Sequence, residues 1–125
     1  SIFDRKYVFQ VPEELDLEAM KKGISYFEGK HDFKAFTSTK RGKKSTVRTI
    51  ESITIDKIGD EIRMTYRGDG FLYHMVRILS GTLIEVGRGE RSVESVSEAL
   101  SSLERENAGF LAPAKGLTLI EVLYH

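Results

Sequence analysis

The sequence predicts an α+β domain, a split β-α-β-like fold in which a four-stranded, mainly antiparallel sheet carries its helices on one face. The first observation is the order of the elements, which hydrophobic periodicity gives as β-α-β-β-α-α-β. The second is a turn at Gly59-Asp60 between two β-rich runs, which makes them an antiparallel hairpin. The third is the length of 125 residues, which suits a single domain over residues 1–125 with its own core.

The first predicted elements are a strand and a helix. Residues 7–11 alternate in the way of a half-buried strand, and Pro12 ends it. Asp16 is the expected N-cap of the next helix, and Gly29 is its expected stop. The apolar residues that recur at helical spacing between them are Leu17, Met20, Ile24 and Phe27.

The later elements are a loop, the hairpin, two helices and a closing strand. Residues 38–45 are polar and basic and predict the loop, and residues 47–56 and 61–67 predict the two strands of the hairpin. Residues 117–124 close the chain as a strand. The second of the two helices has Ser92 as its cap, and its apolar face contains Val93, Val96, Leu100 and Leu103.

The other helix contains the run GFLYHMVRILSG at residues 70–81, which places Arg77 among largely apolar residues. At about 3.6 residues per turn the apolar positions cover one face and part of the opposite face, so we expect both faces to be at least partly covered. No carboxylate lies three or four positions from Arg77, so its counter-ion must come from elsewhere. A guanidinium that reaches water or a distant surface acid is the ordinary structural explanation.

The charge of the chain is balanced but unevenly distributed. Nineteen basic and nineteen acidic residues cancel, so the total charge does not point to nucleic acid. Residues 33–50, however, contain six basic residues and no acidic one. The best candidates for RNA phosphate contacts are therefore Lys40, Arg41, Lys43 and Lys44, with a merely solvated loop as the alternative.

The composition also predicts the compartment and the absence of metal. The chain has no cysteine, so it has neither a disulfide nor a cysteine-based zinc site, as is typical of a reducing compartment. No apolar run approaches the roughly eighteen residues of a membrane span, and no charged-then-apolar leader begins the chain. We expect a soluble cytoplasmic protein with no metal and no membrane contact.

Four blocks of the sequence form an ordered set: GKHDFKAF at 29–36, GFLYHMVRILSG at 70–81, GTLIEVG at 81–87 and APAKGLTL at 112–119. Together they resemble motifs of the TruA family of tRNA pseudouridine synthases. The first block is similar to that family's G-x-H-D-F-x-x-F turn, the second to its arginine-bearing motif, and the other two to later segments. The resemblance covers nearly the whole chain, but only the C-terminal half of a full family member.

The resemblance implies the C-terminal domain of a homodimeric enzyme that isomerises uridine to pseudouridine in the tRNA anticodon stem-loop, without a cofactor. The family's catalytic aspartate lies in an Arg-Thr-Asp-x-Gly signature in the N-terminal half. This chain does not reproduce it, because Arg48-Thr49 is followed by Ile50, and Asp69 stands in the run RGDG. The chain alone is therefore expected to be inactive and to need the missing N-terminal domain as its partner and tRNA as its substrate.

The resemblance also implies the roles of site residues. Arg77 corresponds to the arginine that orients the absent aspartate, since an opposite charge in contact keeps a carboxylate ionised and a bidentate fork fixes its orientation. Leu117 is similar to the family's aliphatic residue against the uracil ring, although Thr118 replaces the aromatic residue often found there. Three neighbouring residues are further candidates for substrate contacts, with packing or structural roles as their alternatives: Tyr73, His74 and Gly116.

Two other functions stay open on the sequence. One is a stand-alone RNA-binding module with a ferredoxin-like fold, because split β-α-β domains often bind RNA through aromatic residues on the open sheet face. The strand aromatics Tyr7, Phe9 and Tyr66 fit no recognisable signature of that kind. The other is a structural or dimerisation domain, which a solvent-exposed Arg77 and a loop that does not bind RNA would favour.

Overall fold

The computed structural model describes residues 2–38 and 44–124, and the side chains of residues 5–38 and 44–120. Over these residues the chain forms five strands and three α-helices, and the predicted α+β class is confirmed. The strands are β1 (Ile2–Val11), β2 (Gly29–Asp32), β3 (Val47–Ile58), β4 (Glu61–Gly68) and β5 (Leu117–Tyr124). The helices are α1 (Leu17–Phe27), α2 (Met75–Gly87) and α3 (Glu94–Ser102).

The strands form one antiparallel sheet in the order β2-β3-β4-β1-β5, which has one strand more than the predicted four. The extra strand is β2, which lies within the block predicted as a turn and pairs with β3 from Gly29 opposite Ile50 to Asp32 opposite Val47. Gly29 has φ 98°, a left-handed conformation that lets the chain turn directly from α1 into the sheet. A strand of four residues is too short to show the alternation by which the others were predicted.

The core lies between the helices and one face of the sheet. In β4 the even-numbered residues 62–68 are buried and the odd-numbered ones are only half-buried, so a single face carries the core. The largest fully buried side chains come from strands, helices and the segment after β2, and include Phe9, Phe27, Phe33, Phe36, Met64, Tyr66 and Leu79. The predicted N-cap of α1 is confirmed, because Asp16 Oδ1 accepts the N–H of Ala19 at 3.1 Å.

The helix that contains Arg77 begins later than predicted. α2 starts at Met75 because His74 adopts φ 63° and ψ 5°, a left-handed conformation that cannot continue a right-handed helix. Tyr73 and His74 therefore lie in the turn before α2 rather than on its face. Ser80 and Ile84 are buried along with the main apolar stripe, so both faces of α2 are covered, as predicted.

Candidate active site

A pocket of about 170 Å³ lies between the beginning of α2 and strands β1 and β5. Apolar side chains form most of its wall, and the lining residues whose side chains carry polar groups are Arg77, His74 and Tyr7. Leu117, the first residue of β5, enters the wall because β5 pairs with β1 there, with Leu117 opposite Phe9. Tyr7 of β1 is held in the wall by an edge-to-face contact with Phe71, whose ring centroid is 5.2 Å away. The structure thus brings Arg77 and Leu117, which are 40 positions apart in the sequence, into one pocket.

Arg77 is half-buried in the first turn of α2 and is hydrogen-bonded to a neutral group. Its Nε–H donates to the carbonyl oxygen of Ala112 at 2.7 Å, and the N–H of Ala112 donates back to the carbonyl of Arg77 at 3.1 Å. Among the described residues, no carboxylate pairs with Arg77 and no hydrogen bond from its Nη atoms is found. The terminal end of this guanidinium is therefore available to an acidic group from outside the described chain.

His74 and Tyr73 form a stacked pair at the pocket. Their ring centroids are 3.7 Å apart with 25° between the planes, and Nδ1 of His74 lies 3.0 Å from Oγ of Ser38. His74 lines the pocket, whereas Tyr73 lies outside its wall and is 64% exposed. The hydroxyl of Thr37 donates to the carbonyl of Tyr73 at 3.0 Å, so the residues that lead into the basic loop are fixed against this pair. Substrate contacts by Tyr73 and His74 stay predictions.

Gly116 lies beside a neighbouring groove rather than in this pocket. A Cβ at this position would be 2.6 Å from the carbonyl oxygen of Gln10 and 3.0 Å from the ring of Phe9. Close packing on β1 thus accounts for glycine here, and a contact of Gly116 with substrate stays a prediction.

Three of the four candidate RNA-binding residues, Lys40, Arg41 and Lys43, lie outside the described residues. Lys44 is described and is exposed to solvent. The role of this loop in phosphate binding stays a prediction.

Asp69 is engaged elsewhere, as expected for a residue that does not replace the missing aspartate. Its Oδ1 accepts the N–H of Thr49 at 3.0 Å, and its own N–H donates to the carbonyl of Thr49 at 3.1 Å. This carboxylate links the beginning of β3 to the residue after β4, and no ion pair between it and Arg77 is found among the described residues.

The strand aromatics lie on the face that carries the helices. Phe9 and Tyr66 are buried in the core, and Tyr7 packs against it. The hydroxyl of Tyr66 lies 2.7 Å from Oγ of Ser80, and burial raises the pKa of Tyr66 well above its usual range. The described open face of the sheet therefore lacks the aromatic residues that the RNA-binding-module interpretation relies on.

Two classes of site are not found in the described part of the chain. The described side chains, those of residues 5–38 and 44–120, contain no cluster of three or more His, Asp or Glu placed to hold a metal ion. None of the helices within these ranges has the length and apolar character needed to cross a membrane.

Sequence reasoning missed Ala112, which contacts Arg77 through both of its backbone groups. The block at 112–119 was matched, but an alanine whose carbonyl accepts a hydrogen bond gives no signal in its residue type. The contact spans 35 positions, so no local periodicity reveals it either.

The chain is similar to proteins of known function over nearly its whole length. Residues 24–125 match the model of a family described as tRNA pseudouridine synthase. The chain is 47% identical to tRNA pseudouridine synthase A of Brevibacillus brevis over 123 residues, which cover 98% of this chain and 50% of that protein. It is 46% identical to tRNA pseudouridine synthase A 2 of Clostridium perfringens over 121 residues, with coverages of 97% and 50%. The chain spans about half the length of the curated relatives it matches.

Proposed function

Because the chain belongs to the tRNA pseudouridine synthase family, we propose that it is the C-terminal half of an enzyme that isomerises uridine to pseudouridine in the anticodon stem-loop of tRNA. In this proposal the N-terminal half supplies the catalytic aspartate, and Arg77 orients it. The single observation that carries the proposal is Arg77 in a pocket with Leu117, with no carboxylate partner for it among the described residues.

The isomerisation of uridine requires an apolar pocket for the base and a cation beside the catalytic carboxylate, and this pocket contains both kinds of group. Isomerisation breaks the N1–C1′ bond, turns the uracil and joins its C5 to C1′; C5 then loses its proton to water, and N1 ends with a proton. The base must first leave the RNA stack and enter a pocket, where an apolar wall such as that of Leu117 and Phe71 supports the flat ring. An aspartate that acts as nucleophile must stay ionised there, and the free end of the Arg77 guanidinium supports its charge and its orientation.

The remaining parts of the proposal have two sources. The resemblance of the four sequence blocks implies a homodimeric enzyme and a reaction without cofactor or metal. The composition supports a cytoplasmic protein without metal, and the basic run in the sequence supports tRNA phosphate contacts by Lys40, Arg41, Lys43 and Lys44. Leu117 contacts the uracil, and Tyr73, His74 and Gly116 lie along the path of the RNA.

The test is Arg77→Lys in the full-length enzyme, measured by tritium release from tRNA that carries C5-tritiated uridine. Lysine keeps the positive charge but lacks the planar fork, so we expect kcat to fall by about a hundredfold. Arg88→Lys is the matched control, because Arg88 makes a bidentate ion pair with Glu13 outside the pocket, at 2.6 and 2.9 Å. Turnover close to wild type in Arg77→Lys removes Arg77 from the active site and defeats the proposal.

A further inference from the structure

A short segment, residues 109–112, lies directly against the backbone of α2. A Cβ on Gly81 would be 1.8 Å from the carbonyl oxygen of Phe110, and a Cβ on Gly109 would be 2.6 Å from Cα of Thr82. Side chains at either position would push the two backbones apart. The two glycines therefore allow this segment to run beside the helix that carries Arg77.

Polar groups of α2 fix the segment at three points. At its beginning, the N–H of Gly109 donates to Oγ1 of Thr82 at 2.8 Å, and the Thr82 hydroxyl donates to the carbonyl of Ile78 at 2.8 Å. In the middle, the N–H of Phe110 donates to Oε2 of Glu85 at 3.1 Å. At its end, Ala112 and Arg77 exchange the two hydrogen bonds described above.

Thr82 is fully buried, so its hydroxyl has no water to replace either partner. Gly109 is buried as well, and loss of the Thr82 oxygen leaves its N–H unsatisfied. The segment would then have to move to regain a partner, and the carbonyl of Ala112 would move with it.

We propose that Thr82 is a positioning residue for Arg77, acting through residues 109–112 and the carbonyl of Ala112. This inference rests on the proposed function of Arg77 and specifies which nitrogen atoms of its guanidinium bind the aspartate. A carboxylate binds a guanidinium in bidentate fashion either along the Nε–Nη side or across the two Nη atoms. Since the Nε–H is hydrogen-bonded to the carbonyl of Ala112, Arg77 offers its two Nη atoms to the incoming carboxylate.

The first test needs no catalysis and uses this chain. In ¹⁵N spectra, the Nε–H of Arg77 is assigned by its absence from Arg77→Lys. We expect slow exchange of this proton with solvent in the wild type and in Thr82→Ser, which keeps the hydroxyl. In Thr82→Val, which has nearly the same shape without it, exchange should be at least about tenfold faster. Equally slow exchange in Thr82→Val overturns the proposal.

The second test is the kinetics of the full-length enzyme. Thr82→Val should lower kcat by at least about tenfold with the KM for tRNA within about twofold, and Thr82→Ser should stay near wild type. Ser80→Ala is the matched control, since it removes another buried hydroxyl of α2 that contacts Tyr66 and not the segment. An unchanged kcat in Thr82→Val, or an equal loss in Ser80→Ala, overturns the proposal.

One further variant, Glu85→Ala, and the Arg77→Lys variant described above separate the possible failures of these tests. If Thr82→Val does not fold, Glu85→Ala takes its place, because it removes the half-buried carboxylate that accepts the N–H of Phe110. Glu85→Ala should speed the exchange of the Arg77 Nε–H and lower kcat, as expected for Thr82→Val. Full activity of Arg77→Lys would defeat the proposed function, whereas the exchange of the Arg77 Nε–H would still report whether Thr82 positions the side chain.

Discussion

At the residue scale, Arg77 differs from Arg88 and Arg91, two arginines that follow α2, in how its charge is met. Arg88 pairs with Glu13 at 2.6 Å, and Arg91 pairs with Glu85 at 3.2 Å. Arg77 instead contacts a neutral carbonyl, which fixes its direction without neutralising it. Keeping a half-buried guanidinium without a carboxylate partner costs free energy of folding. This arrangement therefore favours a site in which a second part of the protein supplies the carboxylate.

Tyr73 gives a prediction at the same scale. Because its ring is 64% exposed and stacks on His74, Tyr73→Ala should leave the melting temperature nearly unchanged. If the ring stacks on an RNA base, loss of roughly 1–3 kcal/mol should weaken tRNA binding by about fivefold or more, and Tyr73→Phe should restore it. The measurement is the Kd for tRNA of the full-length enzyme by fluorescence anisotropy. Ile58→Ala, at the exposed end of β3, is the control, and equal affinities of Tyr73→Ala and wild type would show that Tyr73 does not contact RNA.

At the element scale, the sequence predicts long helices and strands more accurately than short ones, because a longer element shows more periods of its hydrophobic pattern. The three helices and the hairpin are long enough for periodicity to reveal them, whereas β2 has four residues and shows none. The start of α2 was misplaced because His74 has a left-handed backbone conformation, which its residue type did not indicate. Arg77 and Leu117 were singled out from their motifs, but the hydrogen bonds between Arg77 and Ala112 use the backbone of Ala112, which side-chain patterns do not encode.

The Glu13–Arg88 pair gives a prediction on how elements are joined. Glu13 lies between β1 and α1 and Arg88 follows α2, close to where the N–H of Asp16 donates to the carbonyl of Gly87 at 2.9 Å. The hydrogen bonds from Arg88 lower the pKa of Glu13 in the folded state. A depressed folded pKa means that the pair stabilises the fold above the unfolded-state pKa and ceases to do so as the pH falls through the folded value.

Glu13→Gln should therefore lower the melting temperature at pH 7, and its difference from wild type should shrink as the pH falls below about 4. Thermal unfolding followed by circular dichroism between pH 7 and pH 2.5 measures this. Glu18→Gln is the control, because Glu18 is 82% exposed and meets Lys21 only at 3.5 Å. A difference between wild type and Glu13→Gln that stays constant over the whole range would assign the effect to something other than this ion pair.

At the scale of the whole molecule, tRNA binding gives a prediction for the basic loop. If Lys40, Arg41, Lys43 and Lys44 contact phosphates, their replacement by alanine in the full-length enzyme should weaken tRNA binding and flatten its salt dependence, by up to about 0.7–0.9 in the log-log slope per lost contact. A variant with four exposed lysines replaced elsewhere changes the charge equally and is the control: Lys21, Lys22, Lys30 and Lys57. The same slope in both variants would show that the loop is only solvated.

The chain folds a core of its own but holds an incomplete candidate site, and this contrast gives the last prediction. The described residues provide the apolar wall and the arginine, and they provide no carboxylate to pair with it. The chain alone should therefore release no tritium from tRNA with C5-tritiated uridine, even when it is folded and abundant. A chimera in which it replaces the matching half of the Brevibacillus brevis relative, 47% identical to it, should be active if, as proposed, the other half of such an enzyme supplies the aspartate. The same chimera with Arg77→Lys should lose that activity. Turnover by the isolated chain would mean that its own residues contain a nucleophile, and an inactive but folded chimera that binds tRNA would mean that this pocket does not complete the site.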